Sequence, residues 1–315
     1  MKANPRKAAV IGCGNVGASI AFRFLQQGLF SRLVLVDVNR EKAEGEAMDL
    51  SDGLPYAGAM DIAAGGYDDL ADCALIVITA GAGQKPGESR LDLMGRNTAI
   101  LKGIIGEITA RDFQGVLLVV ANPVDVLTYA AWRLSGYPKN RVIGSGTVLV
   151  TARFKQLLGE RLRVDSRNVH AFIVGEHGDS ELAVWSGANV SGVDLEQFCR
   201  LRGDPLDREE MDRIYHGVRD SAYEIIRRKG ATCYGIAMAV GRIAQCILRD
   251  ERAVLPVSAV LEGQYGLEGL CLSVPAVVGR RGLEEVLEIP LSPRERAALK
   301  ASAGQLREAI AALGL

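Results

Sequence analysis

Short and almost wholly apolar runs recur along the first half of the chain, separated by segments whose apolar residues have helical spacing. The runs lie at residues 8–11, 33–36, 60–64, 74–79 and 115–120. Runs without polar interruption are typical of parallel strands that are buried on both faces of a sheet. Because strands and helices alternate, the pattern predicts a right-handed, doubly wound parallel sheet. We therefore expect an α/β domain that extends to about residue 143.

The pattern changes at Gly144, where the regular alternation ends. The second half predicts helices at 147–159 and 207–229, a strand at 169–174, and two alternating runs at 253–261 and 271–278 that form a hairpin-like pair. No low-complexity linker or internal repeat separates the halves. We expect two closely packed domains, residues 1–144 and residues 145–315, the second of the α+β class.

The last helix has a clear start signal. Ser292, Pro293 and Glu295 have the form of a capping box with proline at the first helical position. The spacing of the apolar residues that follow predicts a face that is buried against the rest of the domain. These residues are Leu299, Leu306, Ile310 and Leu313.

Composition and charge argue against several classes of function. The 315 residues include 37 lysines and arginines and 38 acidic residues, and the net charge of −1 gives no attraction for nucleic acid or an anionic membrane. No run approaches the ~18 consecutive apolar residues of a membrane span. The basic start of the chain is followed by glycines rather than by the long apolar segment of a signal peptide.

The cysteines and histidines indicate a reducing compartment and no metal. The six cysteines form no CxxC pair and lie mostly in apolar segments, as buried free thiols do. The three histidines form no cluster with the cysteines. We expect a cytoplasmic protein without a metal site.

A glycine-rich turn follows the first apolar run and precedes a helical segment. Gly12, Gly14 and Gly17 have the GxGxxG spacing of a dinucleotide-binding turn. In such turns the first glycine permits the tight bend, the second lets the backbone approach a pyrophosphate, and the third lets helix and strand pack closely. The N–H groups and the dipole at the start of the helix attract phosphate.

Asp37 ends the second apolar run, 20 residues after Gly17. A carboxylate at this position accepts hydrogen bonds from a ribose diol and repels a 2′-phosphate. The spacing therefore predicts a Rossmann domain that binds NAD rather than NADP. A glycine-rich turn in another kind of α/β protein has the same local pattern, and this alternative stays open at this point.

Four polar residues in or near predicted loops are candidates for chemistry. His177 lies between glycines just past a predicted strand, which suits a proton carrier near neutral pH. Arg153 lies in an apolar helical segment, where a guanidinium needs an anionic partner such as a carboxylate. Arg90 follows a glycine-rich loop at 80–88 that is a candidate lid, and Asn122 ends a predicted strand.

Each candidate has an ordinary structural alternative. His177 could be a surface or structural histidine, and Arg153 could form an internal salt bridge. Arg90 could be a solvated loop cation, and Asn122 could merely begin the next helix.

Several motifs, spread over essentially all of the chain, resemble those of one family. They are GCGNVG (12–17), TAGAGQKPGESRLDLMGRN (79–97), ANPVD (121–125), GSGT (144–147), TARF (151–154), GEHGDSE (175–181) and KGATCYGIA (229–237). In this order they resemble the L-lactate dehydrogenases, which belong to the wider lactate/malate dehydrogenase family. The resemblance implies an NAD-dependent oxidoreductase of glycolysis and fermentation.

The resemblance also implies roles for individual residues. Arg153 pairs with the substrate carboxylate, Arg90 polarises the ketone after the lid closes, and His177 donates the proton. Asn122 helps to hold the substrate oxygen and the nicotinamide. Further cofactor contacts are implied for Val16, Gly81, Ala82 and Ser145.

Two positions bear on the choice of substrate. Gln84 lies where the family contacts the substrate side chain, and malate-type members carry arginine there. Thr232 also resembles the lactate-type members. The resemblance therefore implies pyruvate and lactate as substrates rather than oxaloacetate and malate.

Val150 departs from the family pattern. Three residues before the arginine of TARF, the family carries an aspartate that fixes the imidazole tautomer and stabilises the imidazolium. Valine can do neither, and a charged hydrogen bond contributes roughly 1.5–3 kcal/mol. We expect turnover that is slower by roughly 10–150-fold and a lowered pKa of His177. A carboxylate from elsewhere, such as Asp179, could substitute, but no pattern supports it.

A weaker resemblance concerns regulation. Bacterial members that respond to fructose 1,6-bisphosphate bind it between subunits with a basic residue after TARF and a histidine before GEHGD. This chain has Lys155 and His170 at these places. The resemblance implies allosteric activation and a homotetramer, although His170 could be an ordinary strand histidine.

Other functions remain open from the residues alone. Within the same enzyme class, the chain could act on malate or on a bulkier 2-hydroxy acid. It could also be an NAD-binding protein with little catalysis, for which Val150 is the support.

Overall fold

Parallel strands made from the predicted apolar runs form the frame of the fold. The computed structural model describes residues 4–83, 87 and 90–314, and gives only the backbone for Pro5 and Arg90. The first strands are β1 (Asn4–Ile11), β2 (Arg32–Val36), β3 (Asp61–Ala64), β4 (Cys73–Ile78), β5 (Val116–Val119) and β6 (Val142–Gly144). They pair in parallel in the order β3-β2-β1-β4-β5-β6. The predicted doubly wound sheet is confirmed.

Helices cover both faces of this sheet. They are α1 (Asn15–Gln27), α2 (Arg40–Asp52), α3 (Arg90–Thr109) and α4 (Val124–Ser135). Successive residues of β1 belong to different cores: Ala8 and Val10 share a cluster with Phe24 of α1, whereas Ile11 shares one with Ile104 of α3. Burial on both faces explains why the central parts of these strands are almost wholly apolar.

The second half begins with α5 (Val148–Leu162) and continues through short strands. The predicted strand at 169–174 is wrong as a single element. It forms β7 (Val169–His170) and β8 (Ile173–Val174), and these pair with β10 (Asn189–Val190) and β9 (Leu182–Ala183) in different sheets. The intervening Ala171 and Phe172 are apolar, so hydrophobicity alone could not show the break.

The remaining elements of the second half include two long helices. In chain order they are β11 (Val193–Asp194), α6 (Leu195–Leu201), α7 (Arg208–Lys229), α8 (Tyr234–Arg249), β12 (Ala253–Glu262), β13 (Glu268–Gly279), β14 (Gly282–Val286) and α9 (Pro293–Ala312). The predicted capping box is present, since Ser292 and Glu295 bond reciprocally. Leu299, Leu306 and Ile310 are buried as expected.

The predicted hairpin of β12 and β13 extends the first sheet instead of forming a separate one. Ser258 of β12 pairs antiparallel with Gly144 of β6, and β14 lies at the outer edge. A side chain at residue 144 would lie 2.3 Å from Thr128 Oγ1 and 2.8 Å from Ser258 Cβ, so glycine permits the contact. In the described part of the chain, one sheet of nine strands thus joins both halves.

In residues 4–83, 87 and 90–314, every helix is too short or too polar to cross a lipid bilayer. The same residues contain no group of three or more His, Cys, Asp or Glu placed to hold a metal ion.

Candidate active site

The glycine turn between β1 and α1 is shaped by close approaches within the protein. Gly12 has a φ of +100°, and a Cβ there would lie 2.6 Å from the backbone nitrogen of Ala80. A Cβ on Gly17 would lie 1.8 Å from the carbonyl oxygen of Gly12. A Cβ on Gly14, in contrast, would meet nothing within 4 Å. Gly12 and Gly17 therefore permit close contacts between backbone segments of the protein, whereas the space in front of Gly14 is open to a ligand.

Asp37 is held against this turn at the end of β2. One carboxylate oxygen accepts a hydrogen bond from the backbone N–H of Cys13 at 2.6 Å, and the other accepts from Asn39 N–H at 2.9 Å. These bonds fix a negative charge beside the glycine turn. A fixed carboxylate here can accept from ribose hydroxyls and opposes a phosphate on the same ribose.

A cleft of about 790 Å³ runs along the carboxyl ends of β1, β2 and β4. Its lining includes Gly12, Gly14, Asp37, Thr79, Gly81 and Ala82. Helix α1 begins at this cleft, and its capping position, Gly14, offers no side chain to the first N–H groups. These N–H groups are available to an anion, so cleft, helix start and carboxylate together fit a dinucleotide.

Other predicted cofactor contacts lie near this cleft but outside its lining. Val16 is half-buried and packs against the main core, and the buried Ser145 donates its backbone N–H to Val119 O at 2.8 Å. Asn122 is exposed where β5 leads into α4. Asn122 is therefore at the sheet edge that the sequence predicts.

Asn97 of α3 connects the cleft to Asn122, and its role was not predicted. Its side-chain oxygen accepts from Ala82 N–H at 2.8 Å, and its side-chain nitrogen donates to Asn122 O at 2.9 Å. The sequence shows only a polar residue within a helical segment, and its burial is visible only in the structure. The partners come from two loops that are distant in sequence.

Asp125, in the first turn of α4, fixes the segment that carries His177. One of its oxygens accepts from the backbone N–H of His177 at 2.7 Å. The other accepts from Ser258 Oγ at 2.6 Å and Ser273 Oγ at 3.0 Å. Burial raises the pKa of Asp125 to about 6, although these hydrogen bonds favour the carboxylate. The sequence motif ANPVD contains this residue, but its role was not recognised.

His177 and Arg153 lie close enough to interact electrostatically. The His177 side chain is 28% exposed, but its Nδ1 atom is buried and has no hydrogen-bond partner among the described residues. Burial, and then the nearby positive charge of Arg153, lower the pKa of His177 to about 4. The imidazole is therefore neutral at pH 7 in the ligand-free site.

Arg153 is half-buried, and burial lowers its pKa. Its guanidinium donates to the backbone oxygen of Val218 at 3.1 Å. Among the described residues no carboxylate lies within salt-bridge distance of it, so the internal salt bridge considered above has no partner there. A partly desolvated guanidinium with remaining donors suits an incoming carboxylate.

Val150 lies one turn before Phe154 on α5 and is buried in an apolar cluster. The cluster includes Phe154, Leu158, Ile173 and Ala183. The polar residues next to it in sequence serve the fold, since Thr147 and Thr151 both donate to the backbone oxygen of Ile173. Position 150 therefore has no side chain that could form a hydrogen bond with the loop at 175–181, which carries His177 and is called the histidine loop below.

The predicted substrate-contacting loop is described only in part. Gln84 lies outside the described residues, and so do Lys85, Pro86, Glu88 and Ser89 of the predicted lid. Arg90 is the first residue of α3, but its side chain is also outside the description. Thr232 is half-buried in the connection between α7 and α8.

The two predicted allosteric residues line one cleft of about 370 Å³ between α5, β7 and α8. Burial lowers the pKa of Lys155, and His170 is exposed on β7. Arg242 also lines this cleft, and its guanidinium pairs with Glu251. The structure thus brings Lys155 and His170 together in one cleft, beside the ion pair of Arg242 and Glu251.

Comparison with known proteins identifies the family. Residues 6–144 match the lactate/malate dehydrogenase NAD-binding domain, and residues 147–313 match the lactate/malate dehydrogenase α/β C-terminal domain. The chain belongs to the lactate/malate dehydrogenase family. Its cofactor is accordingly NAD, and it is an NAD-dependent oxidoreductase.

Curated relatives and solved structures cover nearly the whole chain of this family member. It is 49% identical to an L-lactate dehydrogenase of Acetivibrio thermocellus over 98% of each chain. It is 52% identical to one of Moorella thermoacetica over 99% of this chain and 98% of that one. A ligand-bound crystal structure of a minor L-lactate dehydrogenase from Enterococcus mundtii has a TM-score of 0.95 at 43% identity, covering 97% of this chain and 98% of that one.

Proposed function

We propose that this dehydrogenase interconverts pyruvate and (S)-lactate with NADH and NAD. The observation that carries the proposal is a chain of contacts between the cofactor cleft and His177. Asn97 joins Ala82 in the cleft to Asn122, and Asp125 three residues later holds the backbone of His177. A proton carrier is thereby fixed relative to the place where a nicotinamide would react.

The substrate is a 2-oxo acid because the site offers one group for each of its functional atoms. Arg153 binds the carboxylate through two parallel hydrogen bonds, which fixes the orientation of the ketone. This neutralises the charge that lowers the pKa of His177, so binding favours the protonated imidazole. NADH supplies the hydride when it is bound. His177 donates its proton to the developing alkoxide, and Arg90 and Asn122 assist in polarising the oxygen.

Pyruvate is the preferred 2-oxo acid because Gln84 carries no charge to pair with a second carboxylate. Thr232 supports the same choice. The relatives from Acetivibrio thermocellus and Moorella thermoacetica carry the name L-lactate dehydrogenase. We further propose that residues 1–144 bind the cofactor, that residues 145–315 bind the substrate, and that Val16, Gly81, Ala82, Asn122 and Ser145 contribute cofactor contacts.

The same family resemblance is the basis for our proposals on regulation and subunit assembly. We propose a homotetramer that fructose 1,6-bisphosphate activates through Lys155 and His170, because both line one cleft beside Arg242. A cytoplasmic location is proposed because all six cysteines are buried and unpaired. If the bisphosphate changes neither the substrate midpoint nor the subunit association, the regulatory proposal is wrong.

The substrate proposal is tested by the oxidation of NADH with pyruvate and, separately, with oxaloacetate. We expect kcat/KM to be larger for pyruvate. A larger value for oxaloacetate would assign the chain to the malate-type members. A preference for a longer 2-oxo acid over both would support the alternative of a bulkier substrate.

A further inference from the structure

Two buried polar atoms without hydrogen-bond partners among the described residues belong to adjacent side chains, those of His177 and Glu181. Nδ1 of His177 lies 3.9 Å from Oε2 of Glu181, and neither Nδ1 nor the other Glu181 oxygen has a hydrogen-bond partner in the described part of the chain. The Glu181 side chain is only 3% exposed. Buried polar atoms are nearly always paired, so two such atoms in neighbouring groups need an explanation.

Glu181 has no structural role that explains why its carboxyl group is buried. Its backbone groups are hydrogen-bonded, since the N–H donates to Gly178 O and the carbonyl accepts from the Tyr215 hydroxyl. Neither hydrogen bond involves its carboxyl group. Burying a carboxyl group without partners costs free energy, and an apolar residue would fill the space more favourably.

We propose that Glu181 is the positioning residue of His177 and takes the place of the carboxylate that Val150 cannot supply. This inference rests on the proposed function. A movement of about 1 Å brings Oε2 to hydrogen-bond distance of Nδ1. Glu181 then selects which imidazole nitrogen carries the proton and leaves Nε2 to act on the substrate. Glu181 acts through His177 and does not itself touch the substrate.

The pKa values of Glu181 and His177 support a single proton shared between their side chains at neutral pH. Burial raises the pKa of Glu181 to about 8, and burial lowers that of His177 to about 4. Between these values the pair holds one exchangeable proton, which resides on the carboxyl group. As Nε2 gives its proton to the alkoxide, Nδ1 takes the proton of Glu181, so that the pair ends with a neutral imidazole and a carboxylate.

Several charged or titratable groups surround this pair and set its proton affinity. Arg153 of α5 favours the carboxylate and opposes the imidazolium, and Arg219 of α7 also favours the carboxylate. The groups that face the pair from the remaining elements are Asp125 of α4, Glu176 and Asp179 of the histidine loop, and Tyr215 of α7.

The first test is the pH dependence of pyruvate reduction by the wild type and by Glu181→Gln. In the wild type, kcat/KM falls as pH rises through about 8, because the shared proton is lost there. In Glu181→Gln the decline moves to lower pH, and kcat/KM at pH 7.5 drops by at least about tenfold. The matched control is Asp179→Asn, an exposed carboxylate that accepts from the Tyr223 hydroxyl. Because the charge of Asp179 raises the pKa of Glu181 less than burial does, this variant should shift the decline by much less than Glu181→Gln does.

The second test does not require turnover. With three histidines in the chain, the ¹⁵N signals of the His177 imidazole can be assigned and followed by NMR. In the wild type we expect the Nδ1 signal to move with a midpoint near pH 8, although the imidazole does not gain a charge there. This movement should be absent in Glu181→Gln.

The outcomes separate this inference from the proposed function. An unchanged pH profile in Glu181→Gln, an equal shift in Asp179→Asn, or a wild-type Nδ1 signal that is constant from pH 6 to 9 would overturn the role of Glu181. If the wild type does not reduce pyruvate, the proposed function fails. The NMR titration then still decides whether Glu181 and His177 share a proton.

Discussion

At Val150 the residue that best suits the stability of the fold differs from the residue that would best support catalysis. Its side chain is 4% exposed and packs in an apolar cluster, so valine is well suited to its place in the structure. An aspartate there would have to be buried among the same residues. Stability therefore favours valine, whereas the stabilisation of an imidazolium favours aspartate. This conflict explains how a departure from the family pattern can leave the fold intact.

We expect Val150→Asp to raise pyruvate reduction and to lower stability. The new carboxylate stabilises the protonated His177, which increases kcat above pH 7 by roughly tenfold. Its burial reduces the free energy of unfolding by about 1–3 kcal/mol. Steady-state rates and thermal unfolding measure the two effects, with Val150→Ala as the control for lost packing. The gain in rate should be larger in a Glu181→Gln background. No gain in either background would argue that residue 150 does not limit turnover.

Residues whose roles are local could be predicted, and those with distant partners could not. Gly17 and Asp37 act within one strand–turn–helix–strand segment, and their spacing alone indicates what they do. Asp125 binds groups 52, 133 and 148 residues away. The sequence shows only an acidic residue at the start of a helix, which is commonplace. Glu181 likewise ends the GEHGDSE motif, in which nothing in the sequence marks it for a separate role.

At the scale of elements, the turn between β1 and α1 separates ligand contacts from packing contacts. We expect Gly14→Ala to fold normally and to lose affinity for NADH, because its methyl group occupies only the space open to a ligand. Gly17→Ala should lose stability, because its methyl group would clash with Gly12 O at 1.8 Å and push α1 from β1. NADH fluorescence titration and thermal unfolding distinguish the variants. Equal stability losses in both would contradict this division.

Helix α4 connects the sheet to the histidine loop through Asp125, and this contact should depend on pH. Because the pKa of Asp125 is raised to about 6, the folded chain retains a proton that the unfolded chain has lost between about pH 4 and 6. The group therefore destabilises the fold above pH 6 and ceases to do so as pH falls towards 4. This pH dependence is absent when residue 125 cannot ionise.

We expect Asp125→Asn to unfold more easily at pH 7, by roughly 1–3 kcal/mol, since its amide cannot accept from all three donors. The deficit relative to the wild type should grow between pH 7 and pH 4.5, as the wild type gains stability from protonation. Urea unfolding at both pH values measures it, with the exposed Asp179→Asn as control. A deficit that shrinks on acidification would show that Asp125 is ionised throughout this range.

For the whole molecule, the order of strands and helices was predictable, but the joining of the two halves was not. Alternating apolar runs specify a parallel sheet and an antiparallel pair of strands, because both are patterns within the chain. The attachment of β12 to β6 depends on the single pair of Ser258 and Gly144. A second bridge joins Gly175 to Ser273 and places the histidine loop on β13. Such contacts between distant residues leave no periodic signal.

The same arrangement accounts for a site at the junction of the halves. The cofactor cleft lies at the edge of the first six strands, and the histidine loop comes from the second half. Asp125 accepts hydrogen bonds from β12, β13 and the His177 backbone, so sheet extension and the position of His177 depend on the same residue. The cofactor cleft and His177 are thus fixed to one sheet.

Whether this arrangement reduces pyruvate through His177 is decided by comparing the wild type with His177→Gln. NADH binding and pyruvate-dependent NADH oxidation are measured on both proteins at pH 7. We expect equal NADH affinities, turnover by the wild type, and a rate lower by about 100-fold or more in His177→Gln, because general acid catalysis is lost. If both proteins bind NADH and the wild type reduces pyruvate no faster than His177→Gln, the proposed reduction of pyruvate through His177 is wrong.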